Sequence, residues 1–190
     1  MRTQKPLWVI ALALFTWTSV VPATLTAAQD KQKKEASDQD EPKTPADKAA
    51  RDELIAKACG PEVGHSASTD KKQHPTPEAP KDKALIYVIR PTMMGNKIQT
   101  KLAVDGKWVG VNRGNNYFFF TLDPGEHYFC STAENKSVFA MKVDAGHTYF
   151  LQQKIRMGFM KASNKLEQIS NEEGMKGLEK CHPSAFAEKK

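Results

Sequence analysis

Leu122-Asp123-Pro124-Gly125-Glu126-His127-Tyr128-Phe129 and Val143-Asp144-Ala145-Gly146-His147-Thr148-Tyr149-Phe150 spell one pattern twice: apolar-Asp-x-Gly-x-x-Tyr-Phe. Asp hydrogen-bonds its own backbone and Gly accepts positive φ, so each phrase is a turn. The Tyr-Phe pair then opens a strand, where aromatic side chains pack well. Two such units, one hairpin apart, restrict this half of the chain to short antiparallel strands.

The flanking sequence keeps the same texture. Ala84 to Arg90 is a β-branched and aromatic run stopped by Pro91. Met93-Met94-Gly95-Asn96 is a loop. Ile98, Thr100, Leu102 and Val104 alternate with Gln99, Lys101 and Ala103, the period of a half-buried strand. Asp105-Gly106 is a hairpin signal, and Lys107 to Val111 is the return strand. Asn112-Arg113-Gly114-Asn115 turns into Tyr117 to Leu122, with Phe118, Phe120 and Leu122 inward. Glu126 to Thr132, Lys136 to Val143, His147 to Met157 and a short Lys165 to Ile169 complete the strands. Ser170-Asn171-Glu172-Glu173 is a capping box that starts a helix to about Lys180. Gly174 and Gly177 weaken that helix by roughly 1 kcal/mol each. The expectation is an antiparallel β-sandwich of about seven to eight short strands with one C-terminal helix over residues 84–181. Residues 182–190 are expected to form a loose tail.

The first half is different. Arg2 and Lys5 precede an apolar run from Leu7 to Val21, Pro22 breaks it, and Thr26-Ala27-Ala28 offers small residues for cleavage. The run is shorter than the ~20 residues of a spanning helix. Residues 1–28 therefore read as an export signal cleaved after Ala28, which removes two of the charges in a net +6. The expected location is periplasmic or secreted, with no transmembrane segment in the mature chain. No Cys stands at the expected new start, so lipid attachment is not expected. Residues 29–83 contain no Phe, Tyr or Trp and hold six of the 11 prolines. They bury too little apolar surface to offset their conformational entropy, and most of the segment reads as a disordered, charged tether. Within it, Thr44 can cap and Pro45 can open a short helix over 45–59, ended by Gly60-Pro61. His74 to Pro80 is expected to be extended, because residues before proline avoid the helical region.

Three cysteines remain after export: Cys59, Cys130 and Cys181. An oxidising compartment permits one bridge with one thiol left over, and the residues alone leave three pairings open. Tyr149, Leu151, Ile155 and Met157 form an apolar face opposite Gln152, Lys154 and Arg156. Aligning the two turn phrases puts Cys130 at the position of Leu151, so Cys130 points inward. No Cys-x-x-Cys, His-x-x-x-His, nucleophile elbow, phosphate loop or dinucleotide fingerprint occurs. His127 and His147 follow the two Gly turns, but hairpin architecture accounts for both. Met93, Met94, Met157 and Met160 read as core and loop packing rather than soft-metal ligands. No catalytic residue, metal or cofactor is expected. Lys101, Lys142, Lys154 and Arg156 fall on outward positions, giving a candidate basic face for an anionic envelope polymer or envelope protein. Nucleic acid is not expected as a partner.

Leu85-Ile-Tyr-Val-Ile-Arg-Pro91, Val104-Asp-Gly-Lys-Trp-Val-Gly110, Asn116-Tyr-Phe-Phe-Phe120, Leu122-Asp-Pro-Gly-Glu-His127, Ala145-Gly-His-Thr-Tyr149 and Arg156-Met-Gly-Phe159, taken in order, resemble an uncharacterised bacterial envelope family, domain-of-unknown-function 2846. The resemblance runs from about Ala84 to Cys181, and Pro-Gly-Glu-His also resembles short surface-layer repeats of the PEGA type. It implies an exported protein with no established activity, and it carries over no functional residues. It also implies a Cys59–Cys130 bridge with Cys181 free, because some relatives pair a similar Cys-Gly-Pro with a Cys just after the Gly-Glu-His turn. The function expected is a non-enzymatic, exported envelope module that binds or scaffolds. An enzyme or enzyme accessory acting on envelope glycans is one alternative, and a metal-binding or sensor module is another.

Overall fold

The computed structural model describes residues 44–61, 63–157 and 162–188. The expected export signal and the first part of the expected tether lie outside them. A helix, α1 (Pro45–Ala58), is followed by nine strands: β1 (His65–Thr69), β2 (Ala84–Arg90), β3 (Thr100–Val104), β4 (Lys107–Asn112), β5 (Asn116–Leu122), β6 (Gly125–Thr132), β7 (Lys136–Val143), β8 (Thr148–Met157) and β9 (Ala162–Ile169). Helix α2 (Asn171–Leu178) and strand β10 (His182–Glu188) complete the order. The strands form a six-stranded sheet, β1-β10-β5-β2-β8-β9, and a four-stranded sheet, β4-β3-β6-β7.

The protein is mainly β, in two sheets with one C-terminal helix, as the alternation predicts. Ile86 and Val88 of β2, Phe118 of β5, Leu151 of β8 and Leu166 of β9 meet Leu102, Phe129, Phe139 and Met141 from the other sheet in one core. Phe118, Phe120 and Leu122 all face it. Two features depart from the expectation. There are ten strands, and β2 pairs with β8, and β10 with β5, in parallel.

The parallel pairing changes what the repeated phrase does. Neither copy makes a hairpin: each carries the chain from one sheet into the other, β5 to β6 and then β7 to β8. Gly125 and Gly146 take φ of 150° and 73°, backbone that L side chains avoid. The crossings run in opposite directions, and the strands they open differ by one position in phase. Phe129 faces the core between the sheets, whereas Phe150 faces away from it. Cys130 is fully buried, but on the face opposite to that of Leu151, correcting the alignment argument. With a period of two, a one-residue difference reverses every side chain.

The apolar patch on each outer face is covered. Over the four-stranded sheet, α1 starts at a capping box on Thr44 and Asp47 and packs Ala58 against Ala103, Cys130 and Val138. Over the six-stranded sheet lie α2 and the proline segment. The Tyr117 and Tyr87 hydroxyls donate to the Pro75 and Pro77 carbonyls at 2.9 and 2.7 Å, and His74 Nε2 donates to the Leu178 carbonyl at 3.1 Å. Burial pushes both tyrosines up to about 12. Residues 63–83, expected to be part of a mostly disordered tether, thus hold strand β1 and a strap across the sheet, and residues 182–188 of the expected loose tail form β10. Their apolar content is small; backbone pairing and hydrogen bonds to aromatic hydroxyls supply what it lacks. Helix α2 is capped at Ser170 and Glu173 as predicted. Its glycines let it approach the sheet closely, since a Cβ at Gly177 would stand 2.5 Å from Ile89 Cδ1 and one at Gly174 would collide with the Phe150 ring.

The edge strand β9 is sealed from the opposite sheet. Glu134 Oε2, Asn135 Oδ1 and Ser137 Oγ accept from the backbone N–H groups of Ala162, Asn164 and Leu166 at 2.5, 2.5 and 3.0 Å. Side chains thereby satisfy an edge that otherwise invites pairing with another chain.

Candidate functional site

Register collects one set of strand ends. Arg90 stands opposite Asn116, Thr100 opposite Asn112, and Lys101 opposite Thr132. Here the interior turns polar. The inward positions of β8 read Tyr149, Leu151, Gln153 and Ile155, and Gln153 is fully buried. Thr100, Asn112, Ser131 and Asn164 surround it, none more than 3% exposed. The Thr100 hydroxyl and Asn112 Nδ2 donate to Gln153 Oε1 at 2.9 and 3.1 Å. Gln153 Nε2 donates to Ser131 Oγ at 2.9 Å, and Ser131 Oγ donates to Asn164 Oδ1 at 3.0 Å. Asn164 Nδ2 returns a bond to the Ser131 carbonyl at 2.8 Å. Buried amides survive in a core only when paired in this way. The network ties the two sheets across their gap.

Arg90 completes this end. It lies on the same face of β2 as Ile86 and Val88 and is 0% exposed. Its Nη1 donates to the Ile98 carbonyl at 2.6 Å, and its Nη2 to the Met94 and Gly95 carbonyls at 2.9 and 2.6 Å. All three carbonyls belong to the 91–99 loop. Among the described residues no carboxylate pairs with it, and burial lowers its pKa to about 10, leaving it charged at neutral pH. Arg90 Nε and Asn112 Oδ1 are buried without a hydrogen-bond partner. The neighbouring surface carries exposed Lys97, Arg113, Lys136 and Arg156, while Glu134 is tied to the Ala162 backbone. Met93 and Met94, in the loop over Arg90, are 56% and 54% exposed. The hydroxyls here bond to amides rather than to a proton acceptor such as His or a carboxylate. This arrangement suits recognition of a hydrogen-bonding group better than activation of a nucleophile.

The opposite strand ends are built differently. Asp105, in the left-handed region at φ 50°, accepts from the Tyr128 N–H at 2.9 Å and from His127 Nδ1 at 2.6 Å. His127 Nε2 lies 2.8 Å from the Asp123 carbonyl, and Lys83 donates to Asp123 Oδ1 at 2.6 Å. Both ring nitrogens of His127 thus face acceptors, which calls for the doubly protonated imidazolium. Burial opposes that charge, but the bonds to Asp105 and the Asp123 carbonyl, with the two carboxylate charges, hold the pKa above its ordinary value.

The residues singled out in the sequence are dispersed. The Cys59–Cys130 pair is disulfide-bonded, closing a separation of 71 residues and fastening the end of α1 to β6. Cys181 is a free, buried thiol, pushed up to about 11 by burial. The four cations of the expected basic face do not share one. Lys101 and Lys142 lie on the outer side of the four-stranded sheet, Lys101 with its ammonium 5.0 Å from the Trp108 ring centre. Lys154 and Arg156 lie on the outer side of the other sheet, and Lys154 is ion-paired to Glu167. Strand alternation identified outward positions but not which sheet would carry them. His147 bonds to the Ala145 carbonyl and does not meet His127. Among the described residues no three His, Cys, Asp or Glu side chains are grouped to hold a metal ion; Met160 lies outside them. Arg90, Asn112, Gln153 and Asn164 were not singled out. Two signals were present: a charged residue ending the apolar run 84–90, and a Gln on the apolar face between Leu151 and Ile155.

The comparisons agree with this geometry in naming no activity. No solved structure matches the chain. An uncharacterized protein of Haemophilus influenzae is 30% identical over 132 residues, covering 68% of this chain and 77% of that protein. A family model described as "Protein of unknown function (DUF2846)" matches residues 80–165, the segment that contains Arg90, Asn112, Gln153 and Asn164. By that model and that relative, the chain belongs to the DUF2846 family.

Proposed function

We propose that this protein works outside the cytoplasm as a non-catalytic module of the cell envelope and holds its partner at the Arg90 strand end. The observation that carries this reading is the Cys59–Cys130 disulfide, which fastens α1 over the four-stranded sheet. Such bonds persist in oxidising compartments. The leader-like residues 1–28 offer a route there. The apolar parts of both outer sheet faces are occupied by the chain's own elements, which turns attention to the strand ends. Of the two ends, one is closed by turns bonded to each other, and the other holds the unpartnered buried groups and the exposed methionines. Among the described residues no helix is long and apolar enough to cross a membrane.

Fractionating expressing cells tests location: the processed chain, starting at Gln29, is expected outside the cytoplasm with Cys59 linked to Cys130 on non-reducing peptide mapping. Intact precursor in the cytosol with three free thiols would overturn the proposal. Binding is tested by capturing the processed protein on cell-wall and outer-membrane fractions at low and high salt. Appreciable turnover of a panel of glycan substrates would favour the enzymatic alternative instead.

A further inference from the structure

We infer that the Arg90 end is a binding site for a carboxylate that carries a hydrogen-bond donor beside it, entered when the 91–99 loop moves aside. This rests on the reading of the protein as a binding module and names the ligand chemistry. A guanidinium buried without a counter-charge is costly to hold. Here its η nitrogens are met only by the carbonyls of Met94, Gly95 and Ile98, all from one surface loop. A carboxylate replaces such neutral acceptors with charge-assisted, forked hydrogen bonds, the contact for which Arg is shaped.

The unpartnered atoms define the rest of the ligand. Arg90 Nε is a donor lacking an acceptor, and Asn112 Oδ1 is an acceptor lacking a donor. Both lie at this end of the sandwich: Asn112 Nδ2 donates to the carbonyl of Val88 at 3.1 Å, two residues before Arg90 on β2. A carboxylate alone answers only the first. An amide N–H or hydroxyl next to it answers both, as in an N-acylamino acid or a sugar acid. Exposed Lys97, within the loop, and Arg113, in the turn after Asn112, add positive charge at this end and raise the local concentration of anions. The loop that must move is held to the body by its three bonds to Arg90 and, at its far end, by the Gln99 side chain, whose amide lies 2.8 Å from His65 Nε2. The Ile98 N–H on the Gly95 carbonyl and the Met94 N–H on Thr92 Oγ1 are bonds within the loop itself.

The experiment follows the Arg90 Nε–H resonance and the backbone amides of residues 92–99 in the wild-type processed chain, so no variant needs to fold. The probes are N-acetylglycine, glucuronate, N-acetylglycinamide and inorganic phosphate. Saturable shifts at Arg90 with N-acetylglycine or glucuronate are expected, with N-acetylglycinamide about tenfold weaker or more because it lacks the charge. The tighter of the two acids tells whether a peptide end or a sugar acid is the source. Phosphate binding as tightly as either acid overturns the assignment, since it shows a general anion site. Silence at Arg90 up to about 50 mM of both acids, beyond the millimolar range of weak sites, overturns it too. Capture on envelope fractions, run on the same preparation, separates the two proposals: capture with a silent Arg90 rejects this site alone, and absence of both rejects the module as well.

Discussion

The two ends of the sandwich are closed by different chemistry. At the turn end, Val104, Phe129, Phe139 and Val143 fill the space between the sheets, and the Phe129 and Phe139 rings stack at 5.4 Å. Outside that layer, Asp105, His127, Asp123 and Lys83 bind the turns to one another. At the loop end the same space holds amides, hydroxyls and a guanidinium. Apolar packing is non-directional and saturates itself, so the turn end has nothing left to offer a partner. A polar interior must match donor to acceptor, and here it leaves one of each unmatched. The difference separates an end built for stability from an end with hydrogen-bonding groups left unmatched.

That contrast can be broken by mutation, and the largest effect belongs to the apolar end. Phe129→Ala removes a fully buried ring and is expected to cost about 4 kcal/mol, read by denaturant unfolding. A loss under about 1 kcal/mol would mean that this end is not the stable one. Gln153→Leu, at the hub of the polar network, takes one buried hydrogen bond from each of Thr100, Asn112 and Ser131 and is expected to cost about 3 kcal/mol. Stabilisation by this variant would show that the network is dispensable, and the contrast would then rest on Arg90 alone.

His127→Gln gives a smaller effect graded by pH. The folded-state pKa of His127 lies above the unfolded one, near 6.5. Its contribution is therefore complete below about pH 6.5 and is lost as pH rises through the folded value. Unfolding curves of variant and wild type are expected to differ most in mild acid and to converge in base. A gap that widens with rising pH would contradict the imidazolium assignment. Lys154→Ala should matter least, within about 0.5 kcal/mol, because its partner Glu167 is reached near the surface. A larger loss would mean that the outer side of β8 contributes more than a solvated ion pair.

Much of the body was legible in the sequence. The alternating runs locate the central strands, and Thr44-Pro45 and Ser170-Glu173 mark where the helices start. Those signals are local, written in spacing and capping chemistry. The segment 63–83 was not legible: β1 and the strap lack an apolar period and become ordered through partners far away, Tyr87, Tyr117 and β10. The buried polar residues beside Arg90 were not legible in advance. A Gln between Leu151 and Ile155 signals a polar core position, but nothing local says that Asn112, Ser131 and Asn164 will meet it.

Period and turn chemistry, which depend on a few consecutive residues, were enough to specify a strand-rich body in two layers with a capped C-terminal helix. Sheet membership was not specified in this way, because one turn phrase serves a hairpin and a crossing between sheets equally well. That choice set β2 parallel to β8 and turned Phe129 and Phe150 to opposite sides. It also parted the four cations and gathered Arg90 with five buried polar residues at one end. It is made by which pairing buries the most apolar surface across the whole chain, a sum over distant residues that no short window contains.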